Sequence, residues 1–167
     1  MGNRTHVTLS VPTPLAPKVR SILEKNDGCD DAYEGAMNNS PFTHFCSYGV
    51  NYGVLNCEEE LINYEIPFDK RWEPNGNYNA GGMYVRFLNG QLFIQEVFDE
   101  DLGVPLDPLL AVLAKNDPNT ENDVRRSSLY QELETIILEH KRKTLPIPWS
   151  TQMDHVRKLA TEFLITS

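Results

Sequence analysis

Gly82-Met83-Tyr84-Val85-Arg86-Phe87-Leu88-Asn89-Gly90-Gln91-Leu92-Phe93-Ile94-Gln95-Glu96-Val97-Phe98 reads as a β-hairpin, and the rest of the fold is read outward from it. Asn89-Gly90 supplies the two positive-φ positions of a type I′ turn, whose twist matches that of the strands it joins. A two-residue loop then pairs Leu88 with Gln91, Phe87 with Leu92, Arg86 with Phe93, Val85 with Ile94 and Tyr84 with Gln95. Because side chains alternate along a strand, Met83, Val85, Phe87, Leu92 and Ile94 share one face, expected to be a core face. Tyr84, Arg86, Leu88, Gln91, Phe93 and Gln95 share the other, which is mixed in character.

Upstream, Thr5 to Val11 alternates and is rich in β-branched residues, which predicts a strand with His6 and Thr8 opposite Val7, Leu9 and Val11. Three prolines (Pro12, Pro14, Pro17) then turn the chain into a helix with a Val19, Ile22 and Leu23 stripe, ended by Asp27-Gly28. Residues 28–41 read as a polar surface loop. Pro41 to Tyr52 predicts a second strand, with Phe42, His44, Cys46 and Tyr48 alternating against Thr43, Phe45 and Ser47. Asn56 and Glu59 have capping-box spacing ahead of a short helix through Leu61, Ile62 and Tyr64, and Phe68 to Trp72 predicts a third strand. Residues 74–82 form an extended turn.

Downstream, Asp107-Pro108 opens a short helix and Thr120 or Asn122 a longer one, with a stripe at Leu129, Leu133, Ile136, Ile137 and His140. Ser150 or Thr151 starts the last, with Met153, Val156, Leu159, Ala160 and Phe163 on one side. The order β-α-β-α-β-β-β-α-α-α predicts an α/β or α+β fold, a mixed sheet of about five strands with helices packed on it. The 167 residues are expected to form a single domain, with a sheet region over 5–98 and a helical C-terminal region over 107–165.

Composition narrows the function classes. The net charge is -9, and residues 51–101 carry ten acidic against three basic side chains, net -7. Sequence-independent nucleic-acid binding needs clustered Lys and Arg, so no direct nucleic-acid contact is expected. No apolar run is long enough to span a bilayer, and the N-terminal residues carry no signal-peptide core, so a cytoplasmic protein without membrane attachment is expected. Cys29, Cys46 and Cys57 are too few and too far apart for a disulfide framework.

Two constellations could carry chemistry. His44 and Cys46 lie two apart on one strand face, where an imidazole can activate a thiol; with Phe42 and Tyr48 on the same face, core packing of Cys46 is the expectation. His6-Val7-Thr8-Leu9 resembles one half of the signature of two-histidine phosphoesterases. That chemistry needs two such motifs, and none of His44, His140 and His155 repeats the pattern on a strand, so it is read as coincidence. Asp99-Glu100-Asp101 lacks the spacing of a calcium loop. Residues 76–82 form no phosphate-binding motif. No metal and no cofactor is expected.

What remains is a surface. Glu58, Glu59, Glu60, Trp72, Tyr78, Tyr84, Arg86, Phe93, Asp99, Glu100 and Asp101 combine excess acid with rings suited to recognition. The leading expectation is a non-enzymatic acidic protein-binding module whose partner is a basic protein or complex. An inhibitor of a nucleic-acid-processing or defence complex, carried by a mobile element, is its sharpest form. The alternatives are a small hydrolase or transferase using His44 and Cys46 or His6 and Thr8, and an oligomer-forming protein dimerising through the hairpin face around Tyr84, Arg86 and Phe93.

Overall fold

The computed structural model describes residues 4–26, 41–76, 79–103, 106–114 and 123–166. The predicted loop over 28–41 except Pro41, the Asp27-Gly28 stop, Tyr78, and the proposed starts at Thr120 and Asn122 lie outside the described residues. The protein is an α+β fold. Its strands are β1 (Arg4–Pro12), β2 (Phe42–Asn51), β3 (Phe68–Trp72), β4 (Gly81–Leu88) and β5 (Gln91–Phe98); its helices are α1 (Ala16–Lys25), α2 (Glu58–Asn63), α3 (Leu106–Ala114), α4 (Asp123–Thr144) and α5 (Met153–Thr166).

The strands form one sheet in the order β2-β1-β3-β4-β5, and every neighbouring pair is antiparallel. This corrects the expected mixed sheet. The hairpin pairs as predicted, Leu88 with Gln91 through Tyr84 with Gln95, with Asn89 at φ 52° and Gly90 at φ 75°.

The chain divides into two compact units, residues 1–99 with 147–167, and residues 100–146. In the first, α1, α2 and α5 cover one face of the sheet. Val7, Leu9 and Val11 of β1, Phe45 of β2, Phe68 and Trp72 of β3, and Met83, Val85 and Phe87 of β4 are buried there against Leu15, Val19, Ile22, Leu23, Leu61, Val156 and Leu159. Two predicted core residues are absent from it. Leu92 and Ile94 share the face of Val85 and Phe87, yet they are about half exposed because β5 is the edge strand. Met153, expected on the buried side of α5, is also exposed.

The start of α2 differs from the capping-box expectation. Its N-cap is Cys57, with no side-chain hydrogen bond. Glu58 does the work instead: its Oε1 accepts the Leu55 N–H at 2.6 Å and the Lys70 ammonium at 2.7 Å. Lys70 is almost fully buried on the helix-covered face, so Glu58 supplies the countercharge a buried cation requires.

At the other end of the helix layer, Glu60 ties α1 to α2. Its carboxylate accepts from Lys25 Nζ at 3.0 Å and Asn26 Nδ2 at 2.9 Å. The Asn26 amide first, and then Lys25, hold the Glu60 carboxyl below its ordinary value near 4.5, while Glu60 raises the Lys25 ammonium. The depressed carboxyl contributes stability that is complete above its unfolded value and is lost as pH falls through the folded one. The raised ammonium contributes below its own unfolded value and is lost at high pH. Glu60→Gln is therefore expected to lower the melting temperature between about pH 5 and pH 10, with the gap closing below about pH 4. Melts of both proteins across that range check it.

The strap Ile147 to Gln152 rounds the end of the sheet where β2 and β3 begin. A short 3-10 turn, Trp149–Gln152, replaces the predicted Ser or Thr start of α5, and Thr151 Oγ1 donates to Pro148 O at 2.8 Å. Two buried polar residues fix the strap. Gln152, fully buried, accepts the Phe87 N–H at 2.9 Å. The Arg86 guanidinium donates to the carbonyls of Ile147, Phe68 and Val85, pairs with Asp69 Oδ1 at 2.6 Å and lies 3.8 Å from the Trp149 ring centre. Trp149 Nε1 donates to Asp69 Oδ2 at 3.0 Å, closing the triangle.

In the second unit α3 lies against α4. Leu129, Leu133, Ile136 and His140 form a half-buried stripe at helical spacing, ending on buried Thr144; Ile137, expected in that stripe, is exposed.

Candidate binding site

Strand register decides which side chains meet on the sheet face opposite the helices. Thr8 stands opposite Cys46 on one side and Arg71 on the other; Ser10 stands between His44 and Asp69. Asp69 in turn faces Tyr84, and Tyr84 faces Gln95. One polar row thus crosses all five strands: His44, Ser10, Asp69, Tyr84, Gln95. Period-2 alternation places these residues on one face, and the antiparallel register lines them up.

The sequence-predicted catalytic candidates fall within this face, but not in catalytic relations. His44 Nδ1 is 2.7 Å from Ser10 Oγ. A nucleophile–base–acid relay needs the imidazole between hydroxyl and carboxylate; here the serine occupies the middle of the row. Cys46 is half-buried rather than packed in the helix-covered core, which corrects the expectation for it. Phe45, of opposite parity, takes the core position because its register partner is Leu9. Cys46 Sγ lies 4.0 Å from Thr8 Oγ1, while the His44 ring is engaged by Ser10. Alkylation of Cys46 by iodoacetamide is expected to change less than about threefold on His44→Ala, since His44 Nδ1 is held by Ser10; peptide-mapped labelling rates check this.

His6 lies at the opposite end of the face from the strap. Its ring stacks on Tyr48, with centroids 4.6 Å apart, and its Nδ1 is 3.2 Å from Glu73 Oε1. Its Nε2 is buried, with no hydrogen-bond partner among the described residues. Beside Glu73 opens a cleft of about 290 Å³, lined by Thr8, Arg71, Trp72, Glu73, Gly81 and Asp99 among others. Arg71 donates to the Tyr84 phenol, and this bond, helped by Asp99 and Asp69, holds its guanidinium above the ordinary value. Glu73 and Asp99 remain exposed at the rim, and Tyr48, stacked on the His6 ring that Glu73 meets, is exposed as well.

Backbone conformation makes room for the cleft. A Cβ on Gly81 would come within 2.6 Å of the Trp72 ring and 2.8 Å of Val97 O, so only glycine fits. Gly82 leaves space for the Tyr84 ring to lie flat along the sheet towards Arg71; a Cβ there would meet the Tyr84 hydroxyl at 3.0 Å. The indole of Trp72 is consumed in this construction, donating to Asn79 O at 2.9 Å.

The predicted recognition surface is thereby redistributed. Trp72 and Arg86 are buried and hold the fold together, so neither offers a surface. Glu58 and Glu60 are engaged in intramolecular ion pairs. Glu59, Asp99, Glu100 and Asp101 are exposed, Phe93 is 39% exposed, and Tyr84 is half-buried. Asp99 closes the sheet unit and Glu100 and Asp101 open the other. Glu73 and Arg71, which line the cleft, were not among the expected site residues. Their signal was available: they sit at strand ends flanked by Gly, Pro and Asn, where loops converge.

Among the described residues no group of three His, Cys, Asp or Glu side chains converges as a metal site, and no helix is long and apolar enough to cross a membrane. The fold and site define an α+β protein with a cleft and an acidic, aromatic rim at one end of an antiparallel sheet. No family model, curated protein or solved structure matches the chain.

Proposed function

We propose that the chain is a non-catalytic binding module that docks a cationic segment of a partner protein at the Tyr48–Glu73–Asp99 end of its sheet. The observation that carries this reading is the joining of two exposed carboxylates, Glu73 and Asp99, across one cleft. A Lys or Arg side chain entering the cleft would meet Glu73 and Asp99, while another residue of the same segment could reach Tyr48, stacked on His6 beside Glu73. Aromatic faces attract cations and give rigid contact area at low entropic cost. Arg71 lines the same cleft and donates to Tyr84, so the cleft carries two carboxylates against one guanidinium. The net charge of -9 steers cationic partners to the molecule. A protein whose phosphate-binding groove is lined by Lys and Arg offers this chemistry, and occupying that groove would inhibit it.

A short Arg- and Lys-containing peptide, titrated into isotope-labelled protein, tests the reading by amide NMR. Shifts are expected around His6, Tyr48, Arg71, Glu73 and Asp99, weakening as salt rises from about 0.05 to 0.5 M. Glu73→Gln/Asp99→Asn should weaken binding on the order of tenfold. Shifts that map elsewhere, or that survive the double substitution, would reject this site.

A further inference from the structure

An antiparallel sheet has two edges, and proteins normally protect both. The β2 edge carries such a device: the register between β1 and β2 shifts at Thr5/Val7, a bulge that twists the pair. Among the described residues the β5 edge carries only one charge, Glu96, near its end. Its eight residues include no Pro, no Lys and no register shift, and Leu92, Phe93 and Ile94 are 44%, 39% and 50% exposed.

The hairpin fixes which backbone groups point outward. Residues flanking a two-residue turn form a hydrogen-bonded pair, and such pairs alternate along an antiparallel ladder. Leu88 and Gln91 flank the turn, so Gln91, Phe93 and Gln95 bond inward to β4, while Leu92, Ile94 and Glu96 present their N–H and C=O groups outward.

We infer that β5 pairs antiparallel with β5 of a second copy of the chain, about a two-fold axis through Phe93. In that register Leu92 of each copy forms a hydrogen-bonded pair with Ile94 of the other. Phe93 meets its own counterpart, and Gln91 faces Gln95, amide to amide. Glu96 falls opposite Gly90, so no like charges meet. A one-residue slip would turn every side chain to the wrong face. A two-residue slip in one direction sets Glu96 against Leu92, and in the other sets Phe93 against Gln91. Only the Phe93 axis matches apolar with apolar and amide with amide, and such self-complementarity is what a two-fold interface requires. The product is a continuous ten-stranded sheet with both helix layers on the same side. The expected hairpin-face dimer through Arg86 is a different interface, which burial of Arg86 removes.

Sedimentation equilibrium of the full chain from about 5 µM to 500 µM tests it. A monomer–dimer equilibrium is expected, with Ile94→Lys raising the dissociation constant at least about tenfold while leaving the circular dichroism unchanged. Independently, Phe93→Cys should oxidise to a covalent dimer linked through position 93, identified by peptide mapping. A wild-type chain that stays monomeric throughout, or a dimer indifferent to Ile94→Lys and not linked through position 93, overturns the inference. So does a β5 edge that captures an unrelated extended peptide while the chain alone remains monomeric. The two readings fail separately: Ile94→Lys should still bind the Arg/Lys peptide, and Glu73→Gln should still dimerise.

Discussion

Arg86→Ala is expected to destabilise the sheet unit by about 3–5 kcal/mol, the cost of removing one member of a buried ion pair. The guanidinium is 1% exposed and satisfies three backbone carbonyls besides Asp69. Truncation removes those donors together and deprives the Asp69 carboxylate of its ion pair, leaving it the Trp149 N–H. Trp149 loses the cation stacked on its ring as well, so the strap loosens. Burial pulls the guanidinium below its ordinary value and Asp69 pushes it back, so the pair holds because each charge answers the other. Denaturant titration reads the effect as a fall in midpoint, with Trp149 emission reporting exposure of the strap. Arg86→Met/Asp69→Asn should lose clearly less than the sum of the single variants, because the double change strands no charge. An Arg86→Ala midpoint within about 1 kcal/mol of wild type would mean that Gln152 and α5 hold the strap unaided.

Glu58→Ala carries the second large effect, also about 3–5 kcal/mol. Two buried groups depend on one carboxylate: the Lys70 ammonium and the Leu55 N–H. Lys70 is 4% exposed on the face covered by α2, so the alanine variant removes its countercharge and leaves the Trp72 ring, 5.3 Å away, as a weak substitute in an apolar layer. Glu58→Gln/Lys70→Met tests the cause. The amide oxygen keeps an acceptor for Leu55, and methionine fills the space of the lysine stem without its charge. Most of the lost stability should return in that double variant. If it does not, the cost of Glu58→Ala comes from the turn at Leu55 rather than from the stranded lysine. Proteins of this size are stable by only about 5–15 kcal/mol, so either single change removes a large share.

Both effects concern residues that the charge count had placed on the outside. Glu58 is one of three consecutive glutamates and Arg86 one of only three basic residues in the middle third, so both read as surface. A sum over sequence records how many charges exist and not which of them neutralise each other. Lys70 and Glu58 are 12 positions apart, and Asp69 and Trp149 are 80 apart. Their pairing depends on β3 lying inside the sheet and on the strap returning to it.

Cys46 shows the same limit at the level of one strand. Alternation in β2 separates Phe42, His44, Cys46 and Tyr48 from Thr43, Phe45 and Ser47, but each set contains a ring, so parity could not say which was covered. Pairing with β1 settled it, because Leu9 is opposite Phe45 and belongs to the strongly apolar set Val7, Leu9 and Val11. Leu92 and Ile94 are the converse case, apolar and of core parity, yet exposed because β5 is the edge strand of the sheet.

What the amino-acid order determined alone was everything set by interactions a few residues long. It specified the strands through their period of two, the helices through their apolar stripes, the order of elements, and the register of the hairpin through Asn89-Gly90. Only the tertiary structure decided which face each strand buried, that every strand pair was antiparallel, which charges became internal, and that Glu73, Arg71 and Asp99 line one cleft. The reason is physical. Dihedral preference and alternation act within a turn or a strand, whereas burial, ion pairing and site assembly depend on strand order, and that is chosen by the free energy of the whole packed sheet.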